Sequence, residues 1–130
     1  MKTEKPVEKL YTDTGSVDKK ELVDFLESLV SIQRDSKRII FRSKAKKNLT
    51  NSDKVVLYFM AKKLLAMSDE IEENSTSASE IKKQTGIKAG SVDSAFNRLR
   101  KDNIIVGSND EYEIPVYKIE EVMENIKNKL

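Results

Sequence analysis

The sequence predicts a mainly α protein with a minor β component, and three observations carry that prediction. Apolar residues recur at i, i+3, i+4 and i+7 in several separate segments, which marks one buried helix face. Capping side chains and glycines stand at the ends of those segments, where orphan amides and carbonyls need partners. The β signal is limited to short runs such as 104–106 and 111–114.

Taken in order, residues 1–15 hold Pro6 and Gly15 and little periodicity, which reads as a flexible N-terminal arm. Val7, Leu10 and Tyr11 leave open a second reading, in which the arm docks on the domain or on another copy. Residues 16–130 then form a single domain of ordinary size. Ser16 offers an N-cap, and Leu22, Phe25, Leu26 and Leu29 mark a helix over 18–31. Ile32 and Ile39-Ile40-Phe41 flank a polar stretch, so a short strand or small hairpin follows. Residues 42–48 read as a basic loop.

The strongest helix is expected over 53–68. Thr50 with Asp53, or Ser52, can cap it, and between Val55 and Met67 only Lys62 and Lys63 are polar. A helix apolar nearly all round is buried on several sides, so this is the central core helix, with a second subunit as a candidate further partner. Met60 and Met67 read as core filler. The stretch 68–79 is polar and acidic. Its carboxylates Asp69, Glu70, Glu72 and Glu73 lack the spacing of a calcium loop and read as solvated charge.

Several local signals agree between residues 77 and 114. Ser77 and Glu80 form a capping box opening a helix at 78–85, and Gly86 suits its left-handed end. Ile87 can plug the core in the turn. A second helix, 91–102, buries Val92, Ala95, Phe96 and Leu99, and Arg98, Arg100 and Lys101 complement the negative end of its dipole. Asn103 suits a left-handed cap. Strands at 104–106 and 111–114 enclose Gly107–Asp110 as a hairpin. After Pro115, a helix at 116–129 carries Ile119, Val122, Met123, Ile126 and Leu130 on one stripe. That stripe either packs on its own domain or meets a second subunit.

Helix, glycine turn, helix and hairpin is the order of a winged helix-turn-helix. Glu80-Ile81-x-x-x-Thr85-Gly86-Ile87, then Ser91-Val92-x-x-Ala95-x-x-x-Leu99 and Ile104-Ile105-Val106, resembles the winged-helix domains of prokaryotic transcription regulators. The resemblance covers the helix-turn-helix at 77–102 and the wing at 104–114, with the central helix fitting as the first helix of that fold. An extra N-terminal helix and a C-terminal helix lie outside it. It implies a DNA-binding protein acting in transcription regulation, with 91–102 as recognition helix in the major groove. A helix after the wing often forms a dimer contact in such regulators, so a homodimer through the central and C-terminal helices is also implied. Two residues depart from the pattern. Lys82 stands where a small alanine is common, which implies a wider helix crossing or a lysine stem lying over the contact. The wing carries Asp110, Glu111 and Glu113 and no base, whereas winged helices without basic wings are frequently protein–protein interaction modules. That is the alternative reading.

Composition narrows the chemistry. With neither cysteine nor histidine, the chain has no disulfide, no thiolate nucleophile, no His-based triad and no Cys/His zinc site. Gly86-x3-Gly90-Ser91 lacks the lysine of a phosphate-binding loop. The expectation is a non-enzyme with no cofactor and no metal. No apolar run reaches the ~18 residues of a membrane span, and no apolar run follows the charged N-terminus, so a cytoplasmic protein without a membrane partner is expected. Net charge is only +2, but it is arranged in blocks. Residues 34–47 hold seven bases against Asp35, and 82–101 hold six against Asp93. Residues 102–124 hold seven acids against Lys118.

Opposite the apolar face of 91–102 lie Gly90, Ser94, Asn97 and Lys101, with Ser91 and Arg98 on one flank and Asp93 on the other. Asn97 and Arg98 have the donor geometry for base edges. Lys82, Lys83, Lys88 and Ser91, with the bases of 34–47, suit phosphates of double-stranded DNA.

Overall fold

A computed structural model describes residues 18–130; the arm expected at 1–15 and the Ser16 cap lie outside the described residues. Among the described residues the chain is mainly helical, with six helices and two antiparallel two-stranded sheets. The first half runs α1 (Lys19–Glu27), β1 (Val30–Ile32), β2 (Ile39–Phe41), α2 (Ser43–Asn48) and α3 (Asn51–Met67). The second half runs α4 (Ala78–Thr85), α5 (Ala89–Lys101), β3 (Val106–Ser108), β4 (Glu111–Glu113) and α6 (Val116–Lys127). None of these helices is long and apolar enough to cross a membrane.

The centre is α3. Every residue from Val55 to Lys63 is buried, because the helix packs on α1, β2, α5 and α6 at once. Val55, Phe59, Ile81, Val92, Phe96 and Leu99 share one apolar core, as their periodicity requires. The Phe96 ring stands between Phe59, 5.4 Å away, and Tyr112 of β4, 5.8 Å away and nearly edge-on.

Several boundaries differ from the sequence expectation, each for a local reason. The first helix ends at Glu27, not 31, because Val30–Ile32 pairs with Ile39–Phe41, and Asp18 caps it by accepting from the Glu21 amide. The basic loop at 42–48 is mostly the helix α2, anchored by Ala45 alone, too little apolar content for a periodicity argument. The central helix starts at Asn51, since Thr50 and Asp53 form a complete capping box with Thr50 as N-cap. Lys88 occupies the N-cap of α5, which therefore begins at Ala89 rather than 91.

The second hairpin is shifted along the chain. Asn103 is left-handed (φ 58°), and the amides of Ile104 and Ile105 both point back to the Leu99 carbonyl, so β3 begins only at Val106. The turn falls on Asn109 and Asp110 (φ 54° and 59°), the pair of left-handed residues that a two-residue hairpin favours. Gly107 lies inside the strand, where an added Cβ would run into the Glu111 carbonyl. Thr76 adds an isolated antiparallel bridge to Tyr112. The stripe of α6 is buried at Ile119, Val122, Met123 and Ile126, but Leu130 lies past the helix end and is exposed.

Candidate nucleic-acid interface

The α4–turn–α5 segment presents the expected side chains from a rigid base. Ser77 accepts from the Glu80 amide and opens α4, and Gly86 closes it in the left-handed region (φ 73°). The capping box is only half formed. The Glu80 carboxylate turns inward instead, accepting from the Tyr58 hydroxyl and from Lys62 Nζ, both at 2.6 Å. Burial first, and this hydrogen bond second, push the Tyr58 hydroxyl well above the ordinary tyrosine range.

Lys62 and Lys63 of α3 are buried, at 7% and 5% exposure, and both reach acids of the second half. Lys62 also donates to the Ser75 carbonyl. Lys63 pairs with Glu113 of β4 at 3.2 Å, and Asn74 donates to the other oxygen of the same carboxylate. Asp110, at the hairpin tip, accepts from the Ala78 amide at the start of α4. Two of the three acidic residues of the hairpin thus hold the fold together, and Glu111 is the one whose carboxylate makes neither an ion pair nor a hydrogen bond among the described residues. Arg100 lies over the Tyr112 ring at 5.4 Å, which places a cation beside the hairpin.

The candidate contact residues divide into groups. Ser94, Asn97 and Lys101 are exposed along the outer face of α5. Lys88, Ser91 and Ser94 line one open groove with Thr50, Asn51 and Ser52, so the N-terminal ends of α5 and α3 lie side by side. Arg98 lines a different cleft, shared with Asp53, Asp102 and Lys129. Lys82 is drawn across to Asp93 of α5 at 2.9 Å, its charge matched by the one acid of that block. Lys83 is exposed on α4. The basic segment 34–47 is tied to this unit at both ends. Arg38 donates to the Gln84 carbonyl at the end of α4, and α2 leads through buried Leu49 into the α3 terminus bordering Lys88.

No protein-family model, curated protein or solved structure matches the chain.

Asn51 and Ser52 escaped the sequence argument because nothing local distinguishes a helix start near α5 from any other. The roles of Glu80 and Glu113 had a signal. Two adjacent buried lysines on an otherwise apolar helix require acid partners elsewhere. Among the described residues, no group of three or more Asp or Glu side chains is placed to hold a metal ion.

Proposed function

We propose that this chain is a winged helix-turn-helix protein that binds double-stranded DNA, with α5 as recognition helix in the major groove, and that it acts in transcription regulation. The supporting observation is the groove at the start of α5. Lys88, Ser91 and Ser94 stand beside the α3 N-terminus, next to the exposed stripe of Asn97 and Lys101. Two helix N-termini, a lysine and three hydroxyls (Ser91, Ser94 and Ser52) make a phosphate-binding edge, and the stripe beside it carries donors for base edges. The order α3, Thr76 bridge, α4, α5 and β3–β4 favours the winged reading. The acidic hairpin weighs less against DNA once Asp110 and Glu113 have partners inside the fold. A cytoplasmic location follows from this reading.

The test is a titration of random duplex DNA at two salt concentrations. Affinity should fall steeply with salt, each phosphate contact contributing a slope of about one. Absence of salt-dependent binding would end the DNA proposal.

One observation favours a protein-binding module instead: the outer side of α6 exposes Glu120, Glu121 and Glu124 beside Tyr117, which is 55% exposed. A homodimer through α3 and α6 is the weaker extension, because their apolar faces are covered within one chain. It would need Val23, Tyr117 or Leu130, the large apolar side chains left exposed on α1 and α6 and after it.

A further inference from the structure

We propose that the cleft between the β1–β2 hairpin, α3 and α4 binds a small organic anion with an apolar body, of the arylcarboxylate class, and that Arg38 receives its anionic end. The cleft measures about 420 Å³, within the ~300–1,000 Å³ typical of small-molecule sites. Ile39, Leu65 and Ile71 give it an apolar wall, and Arg38, Tyr58, Lys62 and Glu80 converge on it from three different elements.

The placement of the charges, and not their sum, selects the sign of the ligand. Lys37, Arg38 and Lys62 stand on the lining against Glu73 and Glu80. Lys62 and Glu80 neutralise one another at 2.6 Å, and Lys37 faces Glu70 at 3.8 Å across the rim. Glu73 is exposed and ionised, and its Oε1 is turned to its own loop, where it accepts from both the hydroxyl and the amide of Ser75, which hold its carboxyl below the ordinary range. The Arg38 guanidinium donates to the Gln84 carbonyl and enters no ion pair among the described residues. It is the lining cation left without a carboxylate, and its planar fork matches one. The cleft also has a structural cost that packing alone does not explain. Tyr58 and Lys62 are nearly buried polar groups on its wall, where apolar residues of similar volume would serve stability as well. A ligand held there would bridge Arg38 and the end of α4.

This proposal stands independently of DNA binding. It is tested by ¹H–¹⁵N NMR titration of the full chain with benzoate, acetate and benzylammonium. Benzoate should produce saturable shifts at Ile39, Ile71 and Gln84, with acetate far weaker and benzylammonium without effect. Arg38→Gln should weaken benzoate by about tenfold or more, the loss expected for a hydrogen bond to a charged group. Ile71→Trp, which fills the cleft from its half-buried rim, should abolish the response while the melting temperature holds. Equal response to benzoate and benzylammonium, equal response to benzoate and acetate, an unaltered Arg38→Gln titration, or no saturable shift in the parent chain would each overturn the proposal.

Discussion

The two sides of the α4–α5 unit use the same residue types to opposite ends. Where α4 and the β3–β4 hairpin face α3, buried lysines meet half-buried glutamates, as in Lys62–Glu80 and Lys63–Glu113. On the outer face of α5, Lys88, Asn97 and Lys101 are exposed and enter no ion pair among the described residues. Charge on the inner side fixes orientation, because a buried ion tolerates only one partner geometry. Charge on the outer side remains available to a ligand. A tally of acids and bases along the segment cannot separate these uses, and burial can.

The sharpest way to break the inner side is through the core that both sides share. Phe96→Ala removes the ring between Phe59 and Tyr112 and should cost ~3–5 kcal/mol, read as a fall in denaturant midpoint. An unchanged midpoint would refute the packing of this helix face. Glu80→Ala comes next. It leaves Lys62 buried without a counter-charge and should cost about 3 kcal/mol, whereas a Lys62→Met/Glu80→Leu double variant should recover most of that.

Alkaline pH probes the same cluster. The Tyr58 hydroxyl is raised in the folded state, so its contribution is complete below the ordinary tyrosine value near ~10 and declines as pH rises above it. The alkaline loss should approach ~1.4 kcal/mol per pH unit for this one group. Tyr58→Phe should flatten that limb of the stability profile relative to the parent chain, and parallel limbs would remove the assignment.

Outer-face substitutions should be quiet in stability and audible in binding. Lys88→Gln should leave the midpoint within ~0.5 kcal/mol and lower the salt slope of DNA binding by about one. The hairpin acids sharpen the contrast. Glu113→Gln should destabilise by weakening the hold on Lys63, while Glu111→Gln should not, so only the latter tests cleanly whether this carboxylate repels DNA. The smallest effect belongs to Thr76→Val. The Thr76 hydroxyl is buried without a hydrogen-bond partner among the described residues, so a methyl in its place should be neutral or gain up to ~1 kcal/mol.

What was legible in the sequence followed from local rules. The cap at Ser77, the left-handed Gly86 and the Val92–Ala95–Phe96–Leu99 face depend on neighbours within one or two turns, and all three appear in place. The helix α2 was illegible because a single buried alanine gives no period. The hairpin register slipped because Ile104 and Ile105 look like strand by composition, yet their amides are held by the end of α5. At the candidate site, exposure of the α5 stripe could be read from the wheel. The diversion of Lys82 to Asp93, of Arg98 into a cleft with Asp53 and Asp102, and the arrival of Asn51 and Ser52 depend on contacts distant in sequence.

The hairpin is fastened at three separate points: the Thr76–Tyr112 bridge, Asp110 on the Ala78 amide, and Glu113 between Lys63 and Asn74. It is therefore a fixed corner of the molecule and not a finger that closes on its target. A partner docking there would meet a surface already in its bound shape, with little loop entropy left to lose. Its association should show a single concentration-dependent phase, with no slower rearrangement after encounter.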